Sequence, residues 1–123
     1  METIIKRLLP AALLALAFAA PAAAQSVGGH YSVAGTNLNG TTYNGEADIA
    51  LTSETTCTIK WVTGSTESTG ICARNDDSFA AGYVLGDAVG LVIYKVKEDG
   101  SLDGLWTIAG KEGNGTEKLT PAQ

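Results

Sequence analysis

Cys57 and Cys72 stand seven residues out on either side of Gly64-Ser65, and that symmetry constrains the fold more than any other feature of the chain. Gly64-Ser65 suits a two-residue type II′ hairpin turn, with glycine taking the positive φ. Centring a hairpin there pairs Thr63 with Thr66, Trp61 with Ser68, Ile59 with Gly70 and Cys57 with Cys72. Directly opposed residues of an antiparallel pair have Cα atoms about 4.5–5.5 Å apart, a span a disulfide tolerates. Two cysteines in an oxidising compartment also allow only one pairing. Turn chemistry and thiol chemistry are independent, and they agree on one register. A two-thiolate metal site is the alternative, but it lacks ligands. The only other soft donor is His30, and zinc takes four ligands, or three plus water.

The oxidising compartment is itself read from the chain. Lys6 and Arg7 form a short positive region, Leu8 to Ala20 is apolar apart from Pro10, and Ala22-Ala23-Ala24 supplies small residues. That tripartite order is a secretory signal peptide, cut before Gln25. It divides the chain into a signal at 1–24 and one β-domain at 25–123, large enough for a single modest core. The expected location is the periplasm or the medium, with no stable membrane span after cleavage. Of eight Lys/Arg, Lys6 and Arg7 fall in the leader; of thirteen Asp/Glu, only Glu2 does. Six cations against twelve anions remain, a net charge of −6. Such a surface repels phosphate backbones, which argues against a nucleic-acid partner.

Beyond the leader, proline is nearly absent and no long stretch is apolar at helical spacing. Short runs rich in Val, Ile, Thr, Tyr and Trp alternate with Gly, Asn, Asp and Ser clusters, the all-β signature. Eight strands are expected: His30–Gly35, Glu46–Thr52, Thr56–Thr63, Thr66–Arg74, Ser78–Leu85, Ala88–Lys97, Ser101–Ile108 and Thr116–Thr120. A second hairpin is expected at Asp99-Gly100, a type I′ signal. It would pair Val96 with Asp103, Tyr94 with Leu105 and Ile93 with Trp106. Val92, Tyr94 and Val96 would share one face, with Leu91, Ile93, Lys95 and Lys97 on the other. So many strands joined by short turns predict a single antiparallel up-and-down barrel, because closure removes the exposed edges. Glycines within strands, such as Gly82, Gly90 and Gly104, would ease tight bends. A two-sheet β-sandwich is the competing architecture.

Candidate sites are sparse. The stretches at 35–45 and 99–107 share a pattern of turn, polar run, Gly and a nearby aromatic. They form either a ligand rim at one barrel mouth or repeated hairpin chemistry. Tyr43, Asn39, Trp61, Tyr94 and Trp106 are the candidate rim and ligand residues. The same aromatics could instead fill the core, because an eight-stranded barrel is just wide enough for either use. His30 reads as a surface residue. Asn75-Asp76-Asp77 lacks EF-hand spacing and reads as a loop rather than a Ca²⁺ site. The sequons at Asn39 and Asn114 fall in Gly-rich turns. No nucleophile stands with a base and no metal-ligand cluster is visible, so the expectation is a non-enzyme without cofactor or metal.

Taken together, Gly35-Thr36-Asn37-Leu38-Asn39-Gly40 with Tyr43-x-Gly45, Ile59-Lys60-Trp61, Gly70-Ile71-Cys72, Gly104-Leu105-Trp106-Thr107 and Gly115-Thr116-Glu117 resemble a family of small exported bacterial β-proteins, some labelled fibronectin-binding. The strand count is also similar to avidin-like and lipocalin-like barrels. The resemblance speaks to fold. Export, a rigid β scaffold and the missing catalytic set motivate the leading expectation, a monomeric periplasmic or secreted binding module for a protein or a small apolar ligand. Two alternatives stand beside it. One is a periplasmic protease inhibitor acting through the tail Gln25-Ser26-Val27-Gly28-Gly29, as the small periplasmic metalloprotease inhibitors do. The other is an envelope protein without a specific ligand.

Overall fold

The computed structural model describes residues 26–122. The proposed signal peptide and Gln25 lie outside the described residues. Eight strands follow in chain order: β1 Gly29–Thr36, β2 Thr42–Leu51, β3 Thr56–Thr63, β4 Thr66–Asn75, β5 Ser78–Leu85, β6 Ala88–Val96, β7 Leu102–Ile108 and β8 Gly115–Pro121. Each pairs antiparallel with the next, and β8 returns to pair with β1, giving a closed barrel. The up-and-down barrel is therefore the architecture, and the sandwich is not. Closure satisfies the edges that an open meander would leave unpaired.

The first hairpin has the register expected of it. Thr63 faces Thr66, Trp61 faces Ser68 and Cys57 faces Cys72. Gly64 takes a φ of +66°, as the first central position of a type II′ turn requires. The Cys57–Cys72 disulfide spans a Cα–Cα distance of 4.9 Å, and both cysteines are buried inside the barrel.

The second hairpin differs by one residue from the sequence expectation. Val96 pairs with Leu102, Tyr94 with Gly104 and Ile93 with Leu105. The connection is a three-residue loop, closed by Gly100 N–H to Lys97 O at 3.0 Å and Lys97 N–H to Ser101 O at 2.8 Å. Gly100 sits at a φ of +88°. This is a tight turn followed by a left-handed glycine, and its bulge takes up one residue that a two-residue turn would not. Val92 and Tyr94 do face inward, while Leu91 and Ile93 lie on the outer surface. The apolar members of that outer set are thus solvent-facing, not core.

The two recurrent turn patterns also lie apart. Turns leaving odd-numbered strands (37–41, 64–65, 86–87 and 109–114) gather at one end of the barrel. Those leaving even-numbered strands, 97–101 included, gather at the other. The 35–45 and 99–107 stretches therefore cannot form one rim, because an up-and-down chain alternates ends at every turn.

Strand glycines serve the ring packing. Gly35 pairs with Tyr43, Gly90 with Tyr83, Gly104 with Tyr94 and Gly115 with Trp106. In each case the aromatic ring lies over its partner glycine. A Cβ at Gly90 would come within 2.2 Å of the Tyr83 ring, and one at Gly104 within 2.5 Å of the Tyr94 ring. This is the glycine–aromatic pairing by which barrels hold large rings flat against their walls. Gly82 behaves otherwise, with only Gly90 O near the position a Cβ would take, at 4.0 Å.

The interior is packed at one end and hollow at the other. Toward the end bearing the 97–101 loop, Val33, Phe79, Leu102 and Leu119 are all but inaccessible. Phe79 and Tyr94 stack with centroids 5.6 Å apart. The segment before β1 closes this end: Val27 is buried, and its carbonyl accepts the Tyr31 hydroxyl at 2.6 Å.

Candidate ligand-binding mouth

On β8 the alternation places Gly115, Glu117 and Leu119 inward. Two of these suit an interior, and the third is a carboxylate that is only 7 % exposed. The register explains how it fits. Glu117 faces Gly35 on one side and Gly104 on the other, so neither neighbouring strand carries a side chain beside it. Three donors converge on the space this leaves. Tyr43 Oη donates to Glu117 Oε1 at 2.7 Å. Trp61 Nε1 donates to Oε2 at 2.9 Å, and the Tyr94 hydroxyl donates to the same oxygen. Trp61 Nε1 also lies 3.2 Å from Tyr94 Oη. Glu117 is thus used purely as an acceptor, as an ionised carboxylate is. No described buried side-chain polar atom is left without a partner.

Burial and the nearby Glu117 charge both push the phenols toward their neutral, donating form. Tyr43 and Tyr94 are held well above the usual tyrosine range, first by desolvation and then by the carboxylate. Tyr83 is pushed up to about 12 by the same two causes. These rings remain hydrogen-bond donors throughout the neutral range.

Above Glu117 the barrel opens into a cavity of about 290 Å³ at the end formed by the odd-strand turns. Tyr43, Trp61, Tyr83 and Trp106 wall it, and Asn37 and Thr66 stand among its polar lining. The rings form two edge-to-face pairs: Trp61 with Tyr83 at 5.2 Å and Tyr43 with Trp106 at 6.4 Å between centroids. Each wall is anchored by its polar tip. Trp106 Nε1 donates to Thr116 O at 3.2 Å, and Tyr83 Oη donates to Thr107 O at 3.2 Å.

Of the residues singled out from sequence, Tyr43, Trp61 and Trp106 line this cavity. Tyr94 sits beneath it, fully buried against Glu117. Asn39 is outside it, in the β1–β2 turn, where its Oδ1 accepts from Thr41 N at 3.0 Å and from Thr41 Oγ1 at 2.7 Å. Asn37 is the turn residue that lines the cavity instead. Tyr83, another of the aromatics that could line a cavity or fill the core, lines it too, whereas Glu117 was not anticipated. Glu117 was detectable, because Gly115 and Leu119 flank it at period two in a strand whose apolar member must face in.

Elsewhere, His30 is an exposed residue held between two carboxylates. Its Nε2 lies 2.7 Å from Glu46 Oε1 and its Nδ1 lies 2.5 Å from Asp48 Oδ1. Asp76 has a φ of +56° in the β4–β5 turn, and its carbonyl accepts from Arg74 Nε at 2.6 Å. Among the described residues no group of three His, Cys, Asp or Glu is placed to hold a metal ion.

No protein-family model matches the chain, and no curated protein does either. Solved structures do. A redesigned β-barrel superposes with a TM-score of 0.69 at 15 % identity, covering 84 % of this chain and all of its own. A second redesigned β-barrel, solved bound to DFHBI, gives 0.67 at 19 % identity, over 78 % of this chain and 95 % of that one. A de novo designed fluorescence-activating β-barrel gives 0.64 at 15 % identity, over 84 % of this chain and 100 % of its own. At these identities the likeness is one of fold, and the chain is an eight-stranded β-barrel similar in backbone to these small designed barrels.

Proposed function

We propose that this chain is an exported, non-enzymatic binding module that takes a small, largely apolar ligand into the barrel mouth above Glu117. The observation that carries the reading is the aromatic-walled cavity with a buried, hydrogen-bonded polar anchor at its base. Ligand sites are mostly apolar walls with a few placed polar groups. The designed barrels of similar fold solved with DFHBI support it, since an eight-stranded barrel of this size can hold a small molecule. Export rests on the signal pattern and the disulfide. The tail-inhibitor alternative is weakened by Val27, whose burial ties the chain down ahead of β1.

Native mass spectrometry of protein recovered gently from its host tests the reading. A reproducible extra mass of a few hundred daltons, lost on Trp61→Ala, is the expected result. A bare mass, together with no saturable change in tryptophan fluorescence across a panel of small aromatics, would overturn it.

The outer surface supports a second reading, contact with a protein. Ile71, Leu91, Ile93 and Leu105 are each more than half exposed. The register sets Ile71 and Leu91 on either side of Gly82, and Ile93 beside Leu105. Such a patch on β4 to β7 is of the kind that marks interaction surfaces. A photo-cross-linker at position 91, activated in living cells, should trap one discrete adduct; no adduct counts against this reading.

A further inference from the structure

Resting on the small-ligand reading above, we infer that the mouth selects an organic cation: an amine carrying at least one N–H, attached to an aromatic or apolar body. Two observations converge on this class, and each concerns Glu117.

The first is charge. Ion pairs of the described residues include those of His30 with Glu46 and Asp48, Lys60 with Glu67, and Lys97 with Asp103. None includes Glu117. Buried carboxylates are ordinarily paired with a cation. Here the charge is held by three hydrogen bonds alone, at the floor of a cavity that it lines.

The second is acceptor capacity. A carboxylate offers about four lone-pair positions. Oε2 receives both Trp61 and Tyr94, whereas Oε1 receives Tyr43. One position on Oε1 remains for a donor arriving from the cavity. An ammonium is donor-only and positively charged, so it meets both requirements at once. A neutral alcohol meets only the second, and an anion meets neither.

The walls suit the same class. Trp61, Tyr83, Tyr43 and Trp106 surround the space, and tryptophan and tyrosine faces attract cations within about 6 Å. The mouth turns carry Asp87 and Glu112 against a single cation, Lys111. The whole chain has a formal net charge of −5. That field concentrates cations at the entrance. A volume of about 290 Å³ limits the body to roughly one ring system, below the drug-sized ligands of larger pockets.

The test is a three-ligand titration of the mature protein with phenethylammonium, phenethyl alcohol and hydrocinnamate, which share a body and differ in charge. Both tryptophans of the chain, Trp61 and Trp106, line the mouth, so intrinsic fluorescence reads occupancy directly. Phenethylammonium should bind about 10- to 100-fold more tightly than the alcohol, the range of a charge-assisted hydrogen bond, with hydrocinnamate weakest. E117Q should compress the ammonium-to-alcohol ratio to within about 2-fold. If E117Q does not fold, Y43F serves. It keeps the ring but removes a competing donor from Oε1, so the ratio should rise several-fold. Equal binding of alcohol and ammonium by the wild type, or a ratio unchanged in these variants, overturns the cation assignment and leaves the small-ligand reading standing. No saturation by any of the three, on protein with an intact near-UV dichroism spectrum, overturns both.

Discussion

Tyr43 on β2 and Glu117 on β8 are joined over the top of β1, the phenol donating to the carboxylate at 2.7 Å across a strand that separates them. Gly35 makes this possible. It is the β1 residue paired with both. A Cβ there would stand 2.5 Å from Tyr43 Cζ and 2.4 Å from the Thr116 carbonyl oxygen. Gly35→Ala should therefore displace Tyr43 and cost about 1–3 kcal/mol, as overpacking does. Urea unfolding measures the loss, and a midpoint equal to wild type would show that the ring does not depend on this gap.

The buried acceptor is expected to matter more than any one donor. Glu117→Leu would leave the Tyr94 hydroxyl without its acceptor, a loss worth about 1–3 kcal/mol. It would also leave Trp61 Nε1 and Tyr43 Oη only their longer contacts, to Tyr94 Oη at 3.2 Å and Thr116 O at 3.4 Å. Tyr43→Phe removes one neutral donor and should cost about 1 kcal/mol. Denaturant midpoints for the two variants should rank in that order. The reverse order would mean that the carboxylate is tolerated rather than used.

Alkaline titration should separate the tyrosines of the native protein from those of the unfolded chain. All four tyrosines (31, 43, 83 and 94) are raised above the usual value of 10.0, chiefly by burial. Unfolded phenols release protons near 10 while the folded ones retain theirs, so stability falls as pH rises above about 10. Near-UV phenolate absorbance of the folded protein should lag behind that of the unfolded chain, with Tyr83 titrating near 12. Full ionisation of folded protein around pH 10 would contradict the burial of these rings.

His30 is raised above 6.5, first by its hydrogen bond to Asp48 and then by that to Glu46. A raised folded value means the pair stabilises the protein fully below the unfolded value of about 6.5. That stabilisation is lost as pH climbs through the folded value. NMR titration of the imidazole should show the elevated midpoint, and Asp48→Asn should lower it more than Glu46→Gln. Equal, unshifted midpoints in all three proteins would dissolve the cluster in solution.

Removing the cross-link should cost about 2–4 kcal/mol, because it closes a loop of about 15 residues in the unfolded chain. A Cys57→Ala, Cys72→Ala double variant measured by urea unfolding provides the check. An unchanged midpoint would mean the barrel's register holds without it.

Much of the scaffold was written locally. The strand runs, the Gly64-Ser65 turn and the Cys57–Cys72 pairing follow from residues of single strands or of one hairpin, at most 15 positions apart, where period two and turn chemistry act directly. The one register error, at Asp99-Gly100, arose because two- and three-residue loops share the same Asp-Gly signature. The packing of the β6–β7 hairpin distinguishes them, because the three-residue loop sets the Tyr94 ring over Gly104. The site was legible only in pieces. Tyr43, Trp61 and Trp106 stood out as aromatics, but Glu117 reads in isolation as one more surface carboxylate. What brings it together with Tyr43, Trp61 and Tyr94 is the pairing of β8 with β1, a contact between the two ends of the domain. Local sequence determines which residues alternate and where the chain turns. Closure decides which inward side chains of different strands meet, because burial is a property of the whole barrel and not of any strand.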